Sequence, residues 1–427
     1  MASTPPAGPP RSHAVQRGLN ALGAALLAAW SAWILASVLS PQFRLLGGSR
    51  VWFPASPFYP GAPWPYFGLD LLHNLAGAVT WAHEAEPYRA LEFSYAEPVY
   101  VYPPLPLRLF SWTALFGLEG AKAAVGLFMG LLTALGLVAG LAAARARVAL
   151  GHTRLPASLV TALFLCSTPF LFSLERGNYD LLVLACILCA APLLRGPSLG
   201  AELAAGALLA MAAWMKVYPG LLLLPLLALG RWRAAAAMGM SGFLLGLLDL
   251  PQVLAWQATL RALYGSFESW SFVHFAHSLT QTWAGLARWL HLPSPSGALR
   301  ATLTGLFVVP SVGYVCWQVY RSPRRAELGL LLLCFCAAVA TFVPKVSFDY
   351  NLVFLALALL IAWDRSLPGW LQALFALQLL WLQPFAVPGL PGAVTFLLKI
   401  AGAAAVGLVL VRRAREIATA DPKTGVC

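Results

Sequence analysis

The stretch AKAAVGLFMGLLTALGLVAGLAAA, residues 121–144, decides the fold of this chain. Lys122 is its only charged residue, and Arg145 and Arg147 stand at its end. About 20 predominantly apolar residues are enough for a helix to cross the hydrocarbon core of a bilayer. The stretch therefore predicts a membrane-spanning helix that ends at a basic loop. Leu- and Ala-rich runs of the same kind recur along the chain.

The overall composition indicates the same class of protein. Of the 427 residues, 60% are hydrophobic and only 10% are charged, and the mean hydropathy is +0.74. Soluble domains carry about 25% charged residues, so this chain has too few charges to cover a water-exposed surface. Because every backbone polar group inside a bilayer must be paired within the protein, we predict an all-α integral membrane protein built as one bundle of helices.

The apolar runs and the charges between them predict about twelve transmembrane helices. Their approximate positions are 19–39, 121–144, 156–174, 180–194, 200–215, 218–230, 234–251, 299–320, 327–343, 350–363, 369–386 and 392–411. The expected organisation is a disordered cytoplasmic N-terminus (1–18), a single membrane domain (19–412) and a cytoplasmic tail (413–427).

The basic residues predict the orientation of the bundle. A formal charge of +12 in a soluble protein would suggest nucleic acid as a partner, but cytoplasmic loops of membrane proteins also concentrate Lys and Arg. With the N-terminus inside, one set of loops holds Arg145, Arg147, Arg154, Arg195, Arg231, Arg233, Arg321, Arg324, Arg325, Arg365, Arg412, Arg413 and Arg415. We therefore expect a multi-pass cell-membrane protein with both termini in the cytoplasm and no nucleic-acid partner.

The predicted outer face carries the chemistry. It has two long segments, about 40–120 and 252–298, and residues 104–118 are expected there as a half-inserted juxtamembrane helix. Eleven of the sixteen acidic residues fall on this side: Asp70, Glu84, Glu86, Glu92, Glu97, Glu119, Glu175, Asp180, Asp249, Glu268 and Asp349. The inner loops are short and contain no Gly-rich phosphate loop, so an active site would be extracytoplasmic.

Three outer cations depart from the charge rule. Arg176, Lys216 and Lys345 each stand in a very short loop at a helix end. Taken singly, each has a plain explanation: Arg176 and Lys216 could snorkel to the interface, and Lys345 could pair with Asp349. Three such departures together suggest a shared anionic ligand, and a lipid phosphate would lie at this depth and suit Arg and Lys.

Two further sites stand out in the long outer segments. Asp70 begins an amphipathic stretch, where the helix dipole favours a carboxylate, although a simple N-cap role would also place Asp there. His274 and His277 are three residues apart and could share a helix face. Three interpretations are open for these histidines: a metal pair, which lacks a clear carboxylate partner nearby, orientation of a substrate or phosphate, and packing in an aromatic belt.

The chain resembles the GT-C superfamily of membrane glycosyltransferases, and within it glycosyltransferase family 87. The residues that carry the resemblance are, in chain order, Asp70, Pro87-Tyr88, Tyr102-Pro103-Pro104, Arg176-Gly177-Asn178 and Lys216-Val217-Tyr218-Pro219. The sequence departs from the family pattern at His73 and Asn74, where tyrosines usually follow the Asp, and at His277-Ser278, which matches a late Asn-x-Ser only loosely.

The resemblance implies an inverting transferase that moves a sugar from a polyprenyl-phosphate donor to a lipid or glycan acceptor. Because the family includes polyprenol-phosphate-mannose-dependent mannosyltransferases, the expected sugar is mannose. By the same resemblance Asp70 would be the general base, and Arg176, Lys216 and Lys345 would hold the donor phosphate. We expect substrate contacts from His73, Tyr102, Asn178, Asp180, Tyr218, His274, His277, Asp349 and Tyr350. No step requires a cofactor, although some GT-C members use a divalent metal.

A different class of function fits the same number of helices. A transporter or flippase for a phosphate-bearing lipid would also be polytopic, but transporters place ionisable groups near the bilayer midplane and are often built from repeats. Here the polar groups cluster at one face and no repeat is evident between the two halves. A structural membrane subunit, or a catalytically silent relative, is the third possibility.

Overall fold

The computed structural model describes residues 13–39, 69–82, 87–88, 100–152, 155–266, 278–344, 347, 349–380 and 392–419. Within these ranges the chain is helical and has no strand. The helices are α1 (His13–Leu39), α2 (Leu69–Ala82), α3 (Pro104–Phe110), α4 (Gly117–Ala149), α5 (Ala157–Leu165), α6 (Thr168–Arg176), α7 (Asp180–Leu193), α8 (Leu199–Met215), α9 (Leu223–Ala228), α10 (Trp232–Leu248), α11 (Leu250–Ser266), α12 (Leu279–Trp289), α13 (Gly297–Tyr320), α14 (Gly329–Ala340), α15 (Val353–Ala362), α16 (Gly369–Leu380) and α17 (Gly392–Thr419).

Short 3₁₀ segments extend several of these helices. They are Ser111–Phe116 after α3, Tyr218–Leu222 before α9, Arg325–Leu328 before α14 and Asp349–Leu352 before α15. The segment 104–118, predicted as a half-inserted helix, therefore begins with one short helix and a 3₁₀ turn that lead into the long α4.

The chain bends sharply at two places. The predicted span 156–174 forms two helices, α5 and α6, at 59° to each other. The predicted span 234–251 corresponds to α10, and the chain then bends by 90° into α11, most of which was predicted as part of the outer segment 252–298. Pro169 and Pro251 lie in the first turn of the second helix of each pair. Proline donates no backbone hydrogen bond and restricts the residue before it, so each helix ends at the break and a new one begins.

Two of the described helices are each long and apolar enough to cross a membrane, Gly130–Ala149 and Gly297–Tyr320. The number rises to four if each bent pair counts as one span. The prediction of an all-α membrane protein is thus supported within the described ranges, while the count of twelve spans stays a prediction.

The centre of the bundle is formed by α14 and α15. All ten residues of α15 are buried, and so are nearly all residues of α14. A helix that is apolar all round belongs in a core. Because α15 is fixed on every side, the 3₁₀ turn before it, Asp349–Leu352, is held in place at one end of the core. This end of the core carries the candidate site.

Candidate active site

The turn between α6 and α7 brings three predicted site residues together. Gly177 ends α6 in the left-handed conformation, with φ of 64°, which residues with a Cβ rarely adopt. The chain reverses there, and α7 begins at Asp180. Asn178 and Asp180 are both fully buried, so the turn directs their polar groups into the protein.

Asp70 meets this turn from the first turn of α2. Arg176 donates from Nη2 to Oδ1 of Asp70, and Asn178 donates from Nδ2 to Oδ2 at 2.9 Å. The side chain of Asp70 is 11% exposed and that of Arg176 is 21% exposed. The carboxylate is therefore held on both oxygens in a site that water still reaches.

Asn178 joins Asp70 to the neighbouring groups. Its Nδ2 lies 3.3 Å from the hydroxyl oxygen of Tyr102, and its Oδ1 accepts from the backbone N–H of Asp180 at 3.2 Å. An amide nitrogen has two hydrogens to donate, so Nδ2 serves Asp70 and Tyr102 at once. This fixes which way the amide faces.

Lys216 and Asp180 form a second ion pair beside the first. Nζ of Lys216 lies 2.9 Å from Oδ2 of Asp180 and 3.3 Å from Oδ1 of Asn351. Tyr218 donates its hydroxyl hydrogen to Oδ1 of Asp180. Lys216 is 7% exposed and Asp180 is fully buried, so their charges are compensated inside the protein.

Aromatic rings and a further amide surround the ammonium group. Nζ of Lys216 lies 5.5 Å from the ring centroid of Tyr102 and 5.9 Å from that of Tyr218, which is cation–π distance. Asn351 donates from Nδ2 to Oγ of Ser347 at 2.9 Å. The Asp349–Leu352 turn thus reaches the site through Asn351.

The Tyr102 hydroxyl keeps its proton in this setting. Burial raises its pKa well above the ordinary tyrosine range, and the nearby carboxylates of Asp70 and Asp180 raise it further. The hydrogen bond from Asn178 and the charge of Arg176 act in the opposite direction but are smaller. Tyr102 is therefore neutral, and its hydroxyl oxygen accepts the hydrogen bond from Asn178 beside the two ion pairs.

The structure brings seven of the predicted site residues into this one cluster: Asp70, Tyr102, Arg176, Asn178, Asp180, Lys216 and Tyr218. Six others are not placed there. Lys345, His274 and His277 lie outside the described residues. His73 lies on α2, and Asp349 and Tyr350 lie in the turn before α15, but the side chains of these three are outside the described part of the chain.

Sequence reasoning missed the partners of the two cations. The sequence suggested that Arg176 and Lys216 share an anionic ligand. In the structure Arg176 forms an ion pair with Asp70, and Lys216 forms one with Asp180. Asn351 and Ser347 were missed as well. The signal for both was weak: they flank Asp349 and Tyr350, which were selected, in a polar loop between two apolar helices. No group of three or more His, Cys, Asp or Glu in the described ranges could hold a metal ion.

Comparison with known proteins identifies one family. The family model of glycosyltransferase family 87 matches residues 100–344, more than half of the chain. No curated protein and no solved structure matches the chain. The matched range includes Tyr102, the turn from Arg176 to Asp180, Lys216 and Tyr218, while Asp70 precedes it. The resemblance drawn from the sequence is confirmed.

Proposed function

Because the chain belongs to glycosyltransferase family 87, we propose that it transfers mannose from a polyprenyl-phosphate donor to a lipid or glycan acceptor. The observation that carries this proposal is the pairing of Asp70 with Arg176 and Asn178. A carboxylate that is oriented on both oxygens and still reached by water can accept a proton from an acceptor hydroxyl.

The proposed reaction is a single displacement with Asp70 as general base. The acceptor hydroxyl oxygen attacks the anomeric carbon of the donor sugar, and its proton passes to the Asp70 carboxylate. The bond from the anomeric carbon to the phosphate oxygen breaks on the opposite side. The products are the glycosylated acceptor, with inverted configuration at that carbon, and polyprenyl phosphate.

The cations of the cluster would stabilise the leaving phosphate. Arg176 is the nearer candidate, because its side chain is partly exposed and its Asp70 partner is the proposed base. We propose that the donor phosphate takes over Arg176 from Asp70. Release from Arg176 would leave Oδ1 of Asp70 free to accept the proton of the acceptor hydroxyl.

Lys216 has a different place in this proposal. Its carboxylate partner, Asp180, is fully buried and also accepts from Tyr218, so the pair would stay intact when the donor binds. Lys216 then adds positive potential behind the phosphate. Lys345, His274 and His277 remain proposed contacts to the phosphate or the sugar, and the acceptor hydroxyl would approach from the side of Asp70.

The proposal places the reaction on the extracytoplasmic face of a twelve-span bundle. The basic loops predict cytoplasmic termini, and the prenyl tail would lie among the apolar helices. The described helices that could span a bilayer, Gly130–Ala149 and Gly297–Tyr320, are compatible with such a bundle.

The test uses the purified full chain with polyprenyl-phosphate mannose and a panel of lipid and glycan acceptors. We expect polyprenyl phosphate and a mannosylated acceptor to form in equal amounts, with inversion at the anomeric carbon seen by NMR. A matched variant, Glu327→Gln, removes one carboxylate of an exposed Arg324–Glu327 pair away from the cluster and should keep the wild-type rate.

Two results would contradict the proposal. Retention of configuration would exclude a single displacement. Exchange of labelled lipid across proteoliposomes without any release of polyprenyl phosphate would instead favour a flippase.

A further inference from the structure

A second charged cluster lies beside the candidate active site and takes no part in it. Nε of Arg108, on α3, donates to Oδ2 of Asp249 at 2.8 Å, and the guanidinium carbon lies 5.2 Å from the ring centroid of Trp81. Asp249 stands at the break between α10 and α11. We call Trp81, Arg108 and Asp249 the Arg108 cluster.

The Arg108 cluster orients the guanidinium group of Arg108 and leaves most of its N–H donors available for a ligand. Asp249 is 8% exposed, while the side chain of Arg108 is 47% exposed. The bond to Asp249 uses Nε alone, and the two terminal nitrogens of Arg108 form no hydrogen bond within the described residues. Guanidinium edges of this kind bind phosphate oxygens in pairs. Because Trp81 and Asp249 already fix the side chain, little rotamer freedom remains to be lost on binding.

The surroundings of Arg108 are apolar although they are exposed. Leu109, Trp112 and Leu115, on the same segment, are 37%, 43% and 83% exposed. Leu250, directly after Asp249, is 47% exposed. A single cation in an apolar surface fits an amphiphile that carries a charged head group on hydrocarbon chains.

The cluster is separate from the proposed base. Asp70 and Trp81 are the two ends of α2, eleven residues apart, which corresponds to about 16 Å along a helix. A phosphate bound at the Trp81 end is therefore too far from Asp70 to be the group that leaves during transfer.

The two clusters are nevertheless connected. Tyr88 donates its hydroxyl hydrogen to the carbonyl of Tyr102 at 3.0 Å. Burial and, to a smaller extent, the negative charge of Asp249 raise the pKa of Tyr88, so the Tyr88 hydroxyl keeps its proton for the bond to Tyr102. Trp256 and Thr259 of α11 donate hydrogen bonds to the backbone carbonyls of Val101 and Tyr88, so the backbone is anchored to α11 at these two residues.

We infer that the Arg108 cluster binds the phosphate of a membrane lipid at a position distinct from the donor phosphate. The head group phosphate receives hydrogen bonds from the terminal nitrogens of Arg108, and the hydrocarbon chains lie against Leu109, Trp112 and Leu115. The inference rests on the proposed function only in calling the Arg176 region the donor site. The lipid phosphate is either a phosphodiester of a glycerophospholipid or a second prenyl phosphate.

Binding of two probes tests this inference without requiring turnover. The full chain is purified in neutral detergent free of phospholipid, and phosphatidylglycerol and farnesyl phosphate are titrated separately, with bound lipid counted by native mass spectrometry. We expect Arg108→Gln to raise the dissociation constant for one of the bound lipid molecules about tenfold or more, because a charge-assisted hydrogen bond is lost. The probe that is affected identifies the source of the phosphate.

The controls separate binding from folding and from catalysis. Arg324→Gln removes an exposed, ion-paired arginine elsewhere and should leave both titrations unchanged. The double variant Arg108→Gln/Asp249→Asn removes the buried carboxylate together with its partner, so it tests binding even if the single variant folds poorly. Unchanged affinity for both probes in the folded double variant would overturn the inference. Asp70→Asn should leave unchanged the lipid equivalent that Arg108→Gln weakens, whatever its effect on transfer or on binding at the donor site.

Discussion

At the scale of single residues, the site is a set of neutralised charges. Asp70 with Arg176 and Asp180 with Lys216 make two ion pairs, joined through Asn178. The sequence predicted the positions of these residues, because charged side chains at the ends of apolar helices are costly and stand out. The sequence could not predict which residues form ion pairs with each other, because the two partners are 106 residues apart in one pair and 36 in the other.

Arg176→Gln tests the exchange of Arg176 between Asp70 and the donor phosphate. We expect KM for the donor to rise about tenfold to a hundredfold, because a hydrogen bond to a charged group contributes about 1.5–3 kcal/mol. Steady-state kinetics with varied donor measure it, with Arg324→Gln as the matched control. Donor kinetics identical to the wild type would show that Arg176 only holds Asp70.

The buried pair of Lys216 and Asp180 should behave differently from a surface pair. Asp180→Asn removes the carboxylate partner of a buried ammonium, which costs about 3–5 kcal/mol. Asp180→Asn/Lys216→Met should recover part of that loss, and thermal unfolding in detergent measures all three proteins. Glu327→Gln, in an exposed pair, should cost about 1 kcal/mol or less. A loss no larger for Asp180→Asn than for Glu327→Gln would contradict the buried pairing.

At the scale of elements, apolar length predicted the helices well and their breaks poorly. The predicted span 200–215 is α8, Leu199–Met215, and the span 299–320 is α13, Gly297–Tyr320. The bend at Ser167 was missed because hydropathy averages over a window, whereas one proline is enough to end a helix. The end of α10 was predicted to within three residues, but α11, which follows after a bend of 90°, was not predicted as a helix. The contact of Asp249 with Arg108 joins residues 141 positions apart, so hydropathy could not predict it.

The contact of α8 with α10 should be sensitive to a single methyl group. A Cβ at Gly206 would lie 2.3 Å from the carbonyl oxygen of Ala234, while a Cβ at Gly239 of α10 meets nothing within 4 Å. Close helix packing in membranes depends on such small residues. We expect Gly206→Ala to cost about 1–3 kcal/mol and Gly239→Ala to be neutral or slightly stabilising. Equal thermal midpoints for the two variants would contradict this packing.

At the scale of the whole molecule, charge is gathered at both ends of the buried helix α15. Asn351 lies before its start and contacts Lys216. Asp364 lies after its end and accepts from Arg413 at 2.7 Å, and Arg413 also donates to Nε2 of His152 at 3.0 Å. The ends are joined by a core that is apolar throughout. The sequence predicted the family and the all-α architecture. It did not predict which side chains form hydrogen bonds and ion pairs at the two ends of α15.

The buried histidine His152, near the end of α15 that carries Asp364, should make the stability of the protein depend on pH. Burial, followed by the charges of Arg413 and Arg147, lowers the pKa of His152 to about 4, against a smaller opposing effect of Asp364. An unfolded histidine takes up its proton near pH 6.5, so between pH 6.5 and 4 the unfolded chain binds more protons. Stability should therefore fall as the pH drops through this window.

His152→Gln isolates that contribution. It should flatten the fall in thermal midpoint between pH 6.5 and 4, because Gln keeps an acceptor for Arg413 and takes up no proton. His291 is exposed and has φ of 55°, which Asn tolerates, so His291→Asn should retain the wild-type slope. Parallel slopes for the wild type and His152→Gln would contradict the buried, neutral state of His152.

The most direct test of the central claim is the rate of sugar transfer by Asp70→Asn. The amide can still accept a hydrogen bond from Arg176 or Asn178 but cannot take the acceptor proton. Loss of a general base lowers the rate about 10²- to 10⁴-fold, and the measurement is single-turnover release of polyprenyl phosphate with saturating donor and acceptor. The account predicts a loss in that range while the variant still binds donor. Release at the wild-type rate would contradict it.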